Sequence, residues 1–185
     1  MSTPTRLVAF ALATSVPFAL AACGSSSNPV ADKAKAAIKA DILKNQSASS
    51  VVGGKGFTPS QADCFSGKFV DGVGVDGLVK DGLITKTGAA MKSITSSSLQ
   101  LPKAHATTFV NAMFDCTNGG ASIMTTFKGK LDTTLTSYSA TQRTCVEDKV
   151  TTQVMKTIFI AGLSGDTSAA NTTFTAIAKA CGITH

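Results

Sequence analysis

Apolar residues recur every three or four positions along most of the chain, which is the spacing of one face of an α-helix. The segment 102–116 shows this period most clearly, with Ala106, Phe109, Val110, Met113 and Phe114. Alternation of apolar and polar residues, which predicts β-strands, is absent apart from a short extended stretch at 98–101. The pattern therefore predicts an all-α protein.

Caps and periodicity place the helices along the chain. In chain order, the predicted helical segments are 30–43, 60–70, 74–82, one turn at 89–94, 102–116, 123–135, 140–162 and a last helix capped by Ser168. In that last helix we expect Phe174, Ile177 and Ala178 to face inward, with Gly182 just after its end. The Ala- and Lys-rich segment 30–43 is expected to be a weak, solvent-exposed helix.

Size and charge limit the function classes that fit. The chain has 185 residues, of which 43% are hydrophobic and 15% charged, enough for one core and one domain. The net charge is +6, but the basic residues are spread singly and are not interleaved with aromatic residues. This argues against nucleic-acid binding. Two His and the single Glu147 offer little for general acid–base catalysis.

The N-terminus carries a candidate export signal. An apolar run at 7–20 is too short for a comfortable transmembrane helix and ends at Leu20-Ala21-Ala22-Cys23. This tetrapeptide resembles the lipobox of bacterial lipoproteins. The alternative interpretation is an ordinary secretory signal that is followed by a Cys by chance. The resemblance implies that residues 1–22 are removed, that Cys23 receives a diacylglyceryl group, and that the lipid holds the protein at the outer face of the cell membrane.

The export signal divides the chain into three parts. Residues 1–22 are the expected signal peptide. Residues 23–56 form a lipid-anchored tether with the weak helix and a Ser/Gly linker, and residues 57–185 form the helical domain.

The other four cysteines are an even set, as expected for disulfides in an oxidising compartment. They are Cys64, Cys116, Cys145 and Cys181. A zinc site is the rival interpretation, but no two of them have the short spacing of a zinc-ligand pair, so we expect no metal.

An internal repeat selects one pairing of these cysteines. Residues 57–64 and 138–145 share the pattern aromatic, Thr/Ser, two residues, Gln, two residues, Cys, and each opens with a capping box. Later in the chain, Phe109 and Phe174 each stand seven residues before a Cys. We therefore predict an irregular bundle of two related helical units, 57–117 and 138–182, with disulfides Cys64–Cys116 and Cys145–Cys181. Chance similarity of short capped helices is the alternative.

Several motifs suggest chemistry that their surroundings do not support. The glycine pattern at 72–77 matches a dinucleotide loop, but a helix and no strand precedes it, so a hinge between two helices is favoured. Asp71, Asp76 and Asp81 lie too far apart for a calcium loop and are interpreted as turn-forming or capping residues. His105 has no acidic neighbour in the sequence. We identify no catalytic residue and no cofactor.

A second resemblance covers most of the helical domain. It rests on the motifs TPSQADC at 58–64, FVDGVGVDGLVKDGL at 69–83, FDC at 114–116, CVEDK at 145–149 and ACG at 180–182. These are similar to a group of small exported four-Cys helical proteins of actinobacteria. The resemblance implies a fold and a compartment, and it transfers no catalytic residues because its motifs are caps and cysteines.

Two function classes follow. The first is a non-enzymatic lipoprotein of the cell envelope that binds a partner protein, a cell-wall polymer or an apolar small molecule. The alternative is an envelope hydrolase that uses His105. A binder requires an exposed apolar patch or an interhelical cavity, and an enzyme requires His105 within reach of a nucleophile or an acid.

Overall fold

The structure is a computed structural model that describes residues 28–45, 56–96 and 98–183. Within these ranges the chain forms eight α-helices and no β-strand, which confirms the all-α class. The helices are α1 (Pro29–Lys44), α2 (Pro59–Val73), α3 (Val75–Lys80), α4 (Lys103–Cys116), α5 (Ala121–Thr134), α6 (Ala140–Lys149), α7 (Thr152–Ser164) and α8 (Thr167–Ala180). The expected signal peptide at 1–22, Cys23 and His185 lie outside the described residues.

Both predicted capping boxes are present. The Thr58 hydroxyl accepts from the Gln61 backbone N–H at 3.2 Å, and the Gln61 side chain accepts from the Thr58 N–H at 2.9 Å. Ser139 and Gln142 make the same reciprocal contacts at the start of α6. Each box satisfies two N–H groups that the first turn of a helix leaves unpaired.

Both predicted disulfides are confirmed. Cys64 in α2 is bonded to Cys116 at the end of α4, and Cys145 in α6 is bonded to Cys181 just after α8. They close loops with sequence separations of 52 and 36 residues. Each unit is thus an opening helix that is covalently joined to the end of a later helix.

Helix α7 of the second unit packs on the first unit. In the first unit α1 packs on α2 and α2 on α4; α4 then packs on α7, and α7 on α8. The Lys156 ammonium in α7 donates to the Asn111 side chain at 3.0 Å and lies over the Phe114 ring of α4. Phe159 meets the same ring edge-on at 6.1 Å. Helix α6 of the second unit contacts α8 and also α5, which lies between the two units in the chain.

Four phenylalanines fill the centre of the first unit. Phe65 lies 5.6 Å from Phe57 and from Phe69, 5.0 Å from Phe109, and Phe69 lies 5.2 Å from Phe109, as measured between ring centroids. All four side chains are buried. The contacts of Phe109 are edge-on, a favoured geometry for aromatic rings. We call this set the phenylalanine cluster.

The expectation of a solvent-exposed helix at 30–43 is wrong. Helix α1 buries Ala34, Ile38 and Ile42 in the core. The Asp41 carboxylate accepts hydrogen bonds from the Ser93 hydroxyl at 2.9 Å and from the Ile94 N–H at 3.0 Å. The Ala/Lys composition concealed an apolar stripe four residues apart, which long lysine side chains flank.

The expectation of a single helix over 140–162 is also wrong, because the helix is interrupted at Val150 and Thr151. Helix α6 ends at Lys149, and Thr151 caps α7 by accepting a hydrogen bond from the Val154 N–H at 3.3 Å. The fourfold spacing of valines continues across this break, so periodicity alone did not reveal it. A Thr hydroxyl can replace a backbone carbonyl as the acceptor, which permits a new helix start.

Three smaller expectations fail. The N-cap of α8 is Asp166 and not Ser168, since the Asp166 carboxylate accepts from the Ala169 N–H. The stretch 89–94 is no helical turn; it takes part in an isolated antiparallel bridge between Ile84 and Ala90. Phe174, which was expected to face inward, is 41% exposed.

The glycine pattern at 72–77 forms the predicted hinge. Gly74 separates α2 from α3 with φ +78°, a conformation that favours glycine. Gly182 likewise follows α8 with φ +68°, and the Ile183 N–H bonds to the Ala178 carbonyl as in a Schellman motif.

Candidate functional site

An open apolar groove lies on the second unit. Its volume is about 620 Å³, within the size range of small-molecule sites, roughly 300–1,000 Å³. Helices α5, α6 and α8 supply the walls. The lining residues are Leu131, Thr134, Leu135, Ser137, Tyr138, Val146, Val150, Phe174, Thr175, Ile177, Ala178, Lys179 and Ile183. Aliphatic and aromatic side chains therefore form most of the surface.

The floor of the groove is formed by buried residues of α6 and α8. Val146, Val150 and Ile177 are each at most 9% exposed. The position of α6 is fixed by the Cys145–Cys181 disulfide and by the Gln142 side-chain amide, which donates to the Gly182 carbonyl at 3.0 Å. A covalent bond and a hydrogen bond thus hold the two helices at the bottom of the groove.

Half-exposed side chains form the upper walls. Leu131 lies in α5, Leu135 is the residue directly after α5, and Tyr138 lies just before α6. Phe174 is one of two large hydrophobic side chains with substantial exposure among the described residues, the other being Met91 in the first unit. Large apolar groups that remain accessible beside a groove are typical of a binding surface.

Few polar or charged groups line the groove. Lys179 is the one charged side chain in the lining, and Thr134, Ser137, Tyr138 and Thr175 contribute hydroxyls. The described structure shows no protein hydrogen-bond partner for the Tyr138 hydroxyl, so water or a ligand can reach it.

A second depression is chemically different. It has a volume of about 570 Å³ and lies at the turn between α2 and α3, near Gly74 and Lys86. Its surface is predominantly polar and more open to solvent. We therefore regard the groove of the second unit as the better candidate site.

The fold supplies an acidic partner for His105. Nδ1 of His105 in α4 lies 2.6 Å from Oδ2 of Asp81, which follows α3. The Asp81 side chain is 3% exposed and that of His105 is 24% exposed. The interpretation of Asp81 as only a turn or capping residue is therefore incomplete, because its carboxylate connects two helices.

Part of the remaining edge of the His105 ring lies close to α3. A Cβ built on Gly77 of α3 would lie 3.2 Å from Cε1 and 3.4 Å from Nε2 of the ring. Within the part of the chain that the structure describes, Asp81 makes the one side-chain hydrogen bond to His105. None of the hydrogen bonds of the described residues joins a hydroxyl or a thiol to the ring, and the ring does not line the groove.

The groove was not predicted from the sequence. The fourfold spacing of Leu131 and Leu135 indicated a helix but not an uncovered face. The internal repeat could have indicated the groove. Phe65 and Phe69 of the first unit correspond to Val146 and Val150, so the second unit has two smaller side chains at these positions. The contact between Asp81 and His105, which are 24 residues apart, left no signal in one sequence.

Two further observations limit the chemistry of the described ranges. No group of three or more His, Cys, Asp or Glu side chains there is arranged to hold a metal ion. No helix in those ranges is both long and apolar enough to span a membrane. Comparison of the chain with protein-family models, with curated proteins and with solved structures found no match.

Proposed function

We propose that this protein is a lipid-anchored protein of the cell envelope whose helical domain is a non-enzymatic binding module for a small apolar ligand. The groove between α5, α6 and α8 carries the proposal. It combines a volume suited to a small molecule, apolar walls and a single charged group. The lipid anchor rests on the lipobox resemblance at 20–23.

The two disulfides support the placement in the envelope. Such bonds persist in oxidising compartments and are rare in the bacterial cytosol. One of them, Cys145–Cys181, joins α6 to the end of α8, the two helices that form the floor of the groove. A preformed, cross-linked site loses little conformational freedom when a ligand enters, which favours binding.

A hydrolase that uses His105 is the second candidate, and the contact with Asp81 is the observation that favours it. An Asp–His pair is part of many catalytic sites, in which the second ring nitrogen faces a nucleophile. Here that nitrogen lies 3.4 Å from the place that a Cβ on Gly77 of α3 would take, and none of the hydrogen bonds of the described residues joins it to a hydroxyl. The pair therefore serves better as a link between α3 and α4, and we favour the binding module.

The proposal is tested by identifying the small molecules that co-purify with the protein. Full-length protein is purified from its own host, extracted with organic solvent, and the extract is analysed by mass spectrometry. We expect an apolar compound in near-stoichiometric amount from the wild type. The variant Leu135→Asp places a carboxylate in the groove wall and should lose this compound.

Met91→Asp is the matched control, since it places the same charge on an exposed apolar residue of the other unit. It should retain the compound. Equal amounts from all three proteins, or no compound from the wild type together with no binding of added apolar probes, would contradict the proposed function.

A further inference from the structure

We infer that the groove of the second unit binds a small aromatic ligand without positive charge, whose ring occupies the place that phenylalanine side chains fill in the first unit. The inference rests on the proposed function and specifies its ligand class. It follows from a comparison of the two units, residue by residue, along the internal repeat.

The first step is the correspondence of the phenylalanine cluster. A shift of 81 residues places Phe57 on Tyr138, Phe65 on Val146 and Phe69 on Val150. The shift of 65 residues that superposes Cys116 on Cys181 places Phe109 on Phe174. All four corresponding residues of the second unit line the groove. The groove therefore occupies the position of the phenylalanine cluster.

The second step is the loss of the middle rings. In the first unit Phe65 contacts both Phe57 and Phe109, so it joins the two outer rings of the cluster. In the second unit the outer aromatic residues remain, as Tyr138 and Phe174, but valines stand at the two middle positions. No ring contact joins Tyr138 to Phe174 in the described structure. The aromatic walls are present and the rings between them are missing.

The third step is exposure. Phe57 and Phe109 are 7% and 6% exposed, because neighbouring rings cover them. Phe174, the counterpart of Phe109, is 41% exposed. A ring held between Tyr138 and Phe174 would restore the edge-on and offset contacts that the first unit makes internally, which aromatic rings prefer.

The charge of the lining restricts the class of ligand further. Lys179 stands in the lining and no carboxylate does. A cationic ligand would meet a like charge and, among the described residues of the lining, no carboxylate to offset it. Neutral hydroxyls at Ser137 and Tyr138 can hydrogen-bond a polar substituent on the ring.

The test uses the full chain with Cys23→Ser, exported and oxidised, so that no acyl group on the protein competes for the groove. The probe is N-phenyl-1-naphthylamine, an uncharged aromatic dye that fluoresces in apolar sites. Any dye that the N-terminal segment binds is common to all variants and cancels when they are compared. Phe174→Ala should weaken dye binding about three- to tenfold, the loss expected for one aromatic contact. Met91→Ala removes an exposed apolar side chain from the other unit and should leave binding unchanged.

A second variant fills the groove. Val150→Phe introduces the residue that stands at the corresponding place in the first unit, and it should abolish saturable dye binding. The melting temperature and the far-ultraviolet circular dichroism of each variant show that it is folded. If Val150→Phe unfolds the domain, Phe174→Ala still tests whether the groove binds the dye, because the truncation of an exposed side chain leaves the domain folded.

Two competitors of nearly the same shape separate the inference from the proposed function. 2-Naphthol and its saturated analogue decahydro-2-naphthol are compared as displacers of the dye. We expect 2-naphthol to displace at a lower concentration, and this preference to disappear in Phe174→Ala. If the saturated analogue displaces equally well or better, the aromatic inference is wrong while apolar binding stands. If dye binding is the same in the wild type and both groove variants, the proposed function itself is wrong.

Discussion

The Nδ1 atom of His105 lies 2.6 Å from the Oδ2 atom of Asp81, and the Asp81 side chain is almost completely buried. The pair joins the end of α3 to α4. No acidic residue stands near His105 in the chain, so the sequence does not predict this contact. In the fold, His105 therefore has a structural role that the sequence did not indicate.

We predict that His105→Ala destabilises the domain by about 1–3 kcal/mol, because it leaves a buried carboxylate without its partner. The double variant Asp81→Ala/His105→Ala should lose less than the two single variants together, because it removes both polar groups. Urea unfolding of the four proteins measures the coupling. A His105→Ala variant as stable as the wild type would show that water satisfies Asp81 instead.

The burial of α1 predicts that this helix is part of the folded domain. Ile38→Ala should lower the free energy of unfolding by about 2–5 kcal/mol, as for other buried Ile residues. Lys33→Ala, on the exposed side of the same helix, should change it by less than about 0.5 kcal/mol. Thermal and urea unfolding measure both variants. Equal, small effects would support the exposed tether helix that the sequence suggested.

The two disulfides are predicted to contribute unequally to local order. By loop length alone, each stabilises the fold by about 4 kcal/mol in the chain-entropy model. The first unit keeps its phenylalanine cluster when Cys64–Cys116 is removed. The groove floor in the second unit consists of the aliphatic residues Val146, Val150 and Ile177 without a ring cluster, so removal of Cys145–Cys181 should loosen α6 and α8 more.

Paired Cys→Ala variants of each bridge and native-state hydrogen exchange measure this difference. We expect faster exchange across α6 and α8 in Cys145→Ala/Cys181→Ala than across α2 and α4 in Cys64→Ala/Cys116→Ala. The reverse order would mean that the groove unit is held together mainly by packing.

The cap of α8 predicts a specific acid sensitivity. The Ser168 hydroxyl and then the Ala169 N–H, which both bond to the Asp166 carboxylate, lower its pKa below the usual value near 3.8. Because the folded pKa is the lower one, the stabilisation is complete above the unfolded value and is lost as the pH falls through the folded value. Asp166→Asn keeps an acceptor oxygen but cannot titrate.

The melting temperature between pH 6 and pH 2 tests this prediction. The difference between wild type and Asp166→Asn should shrink as the medium becomes acidic. A constant difference over that range would show that the carboxylate charge contributes nothing at this cap.

The resemblance of residues 20–23 to a lipobox predicts acylation at Cys23. In detergent phase partitioning we expect the wild-type protein in the detergent phase. Cys23→Ala should appear in the aqueous phase or remain unprocessed, because no thiol is left to carry the lipid. Cys64→Ala/Cys116→Ala removes two other cysteines and should still partition with the detergent. A wild-type protein in the aqueous phase would contradict the anchor.

The sequence by itself determined the helical class, both capping boxes and both disulfide pairs. These features are local or repeated: a cap needs residues three positions apart, and the repeat places each cysteine at the same point of its unit. Helix periodicity also located α2, α4, α5 and the end of α8, since an apolar stripe is a property of one segment.

Only the tertiary structure decided which stripes are covered. Ile38 is buried and Phe174 is exposed, although both belong to regular apolar stripes, because burial depends on the helix that packs opposite. The same holds for Asp81 and His105, which the chain separates and the fold brings together. The groove exists because the second unit has valines where the first has Phe65 and Phe69, a difference whose consequence is visible only when the surrounding helices are in place.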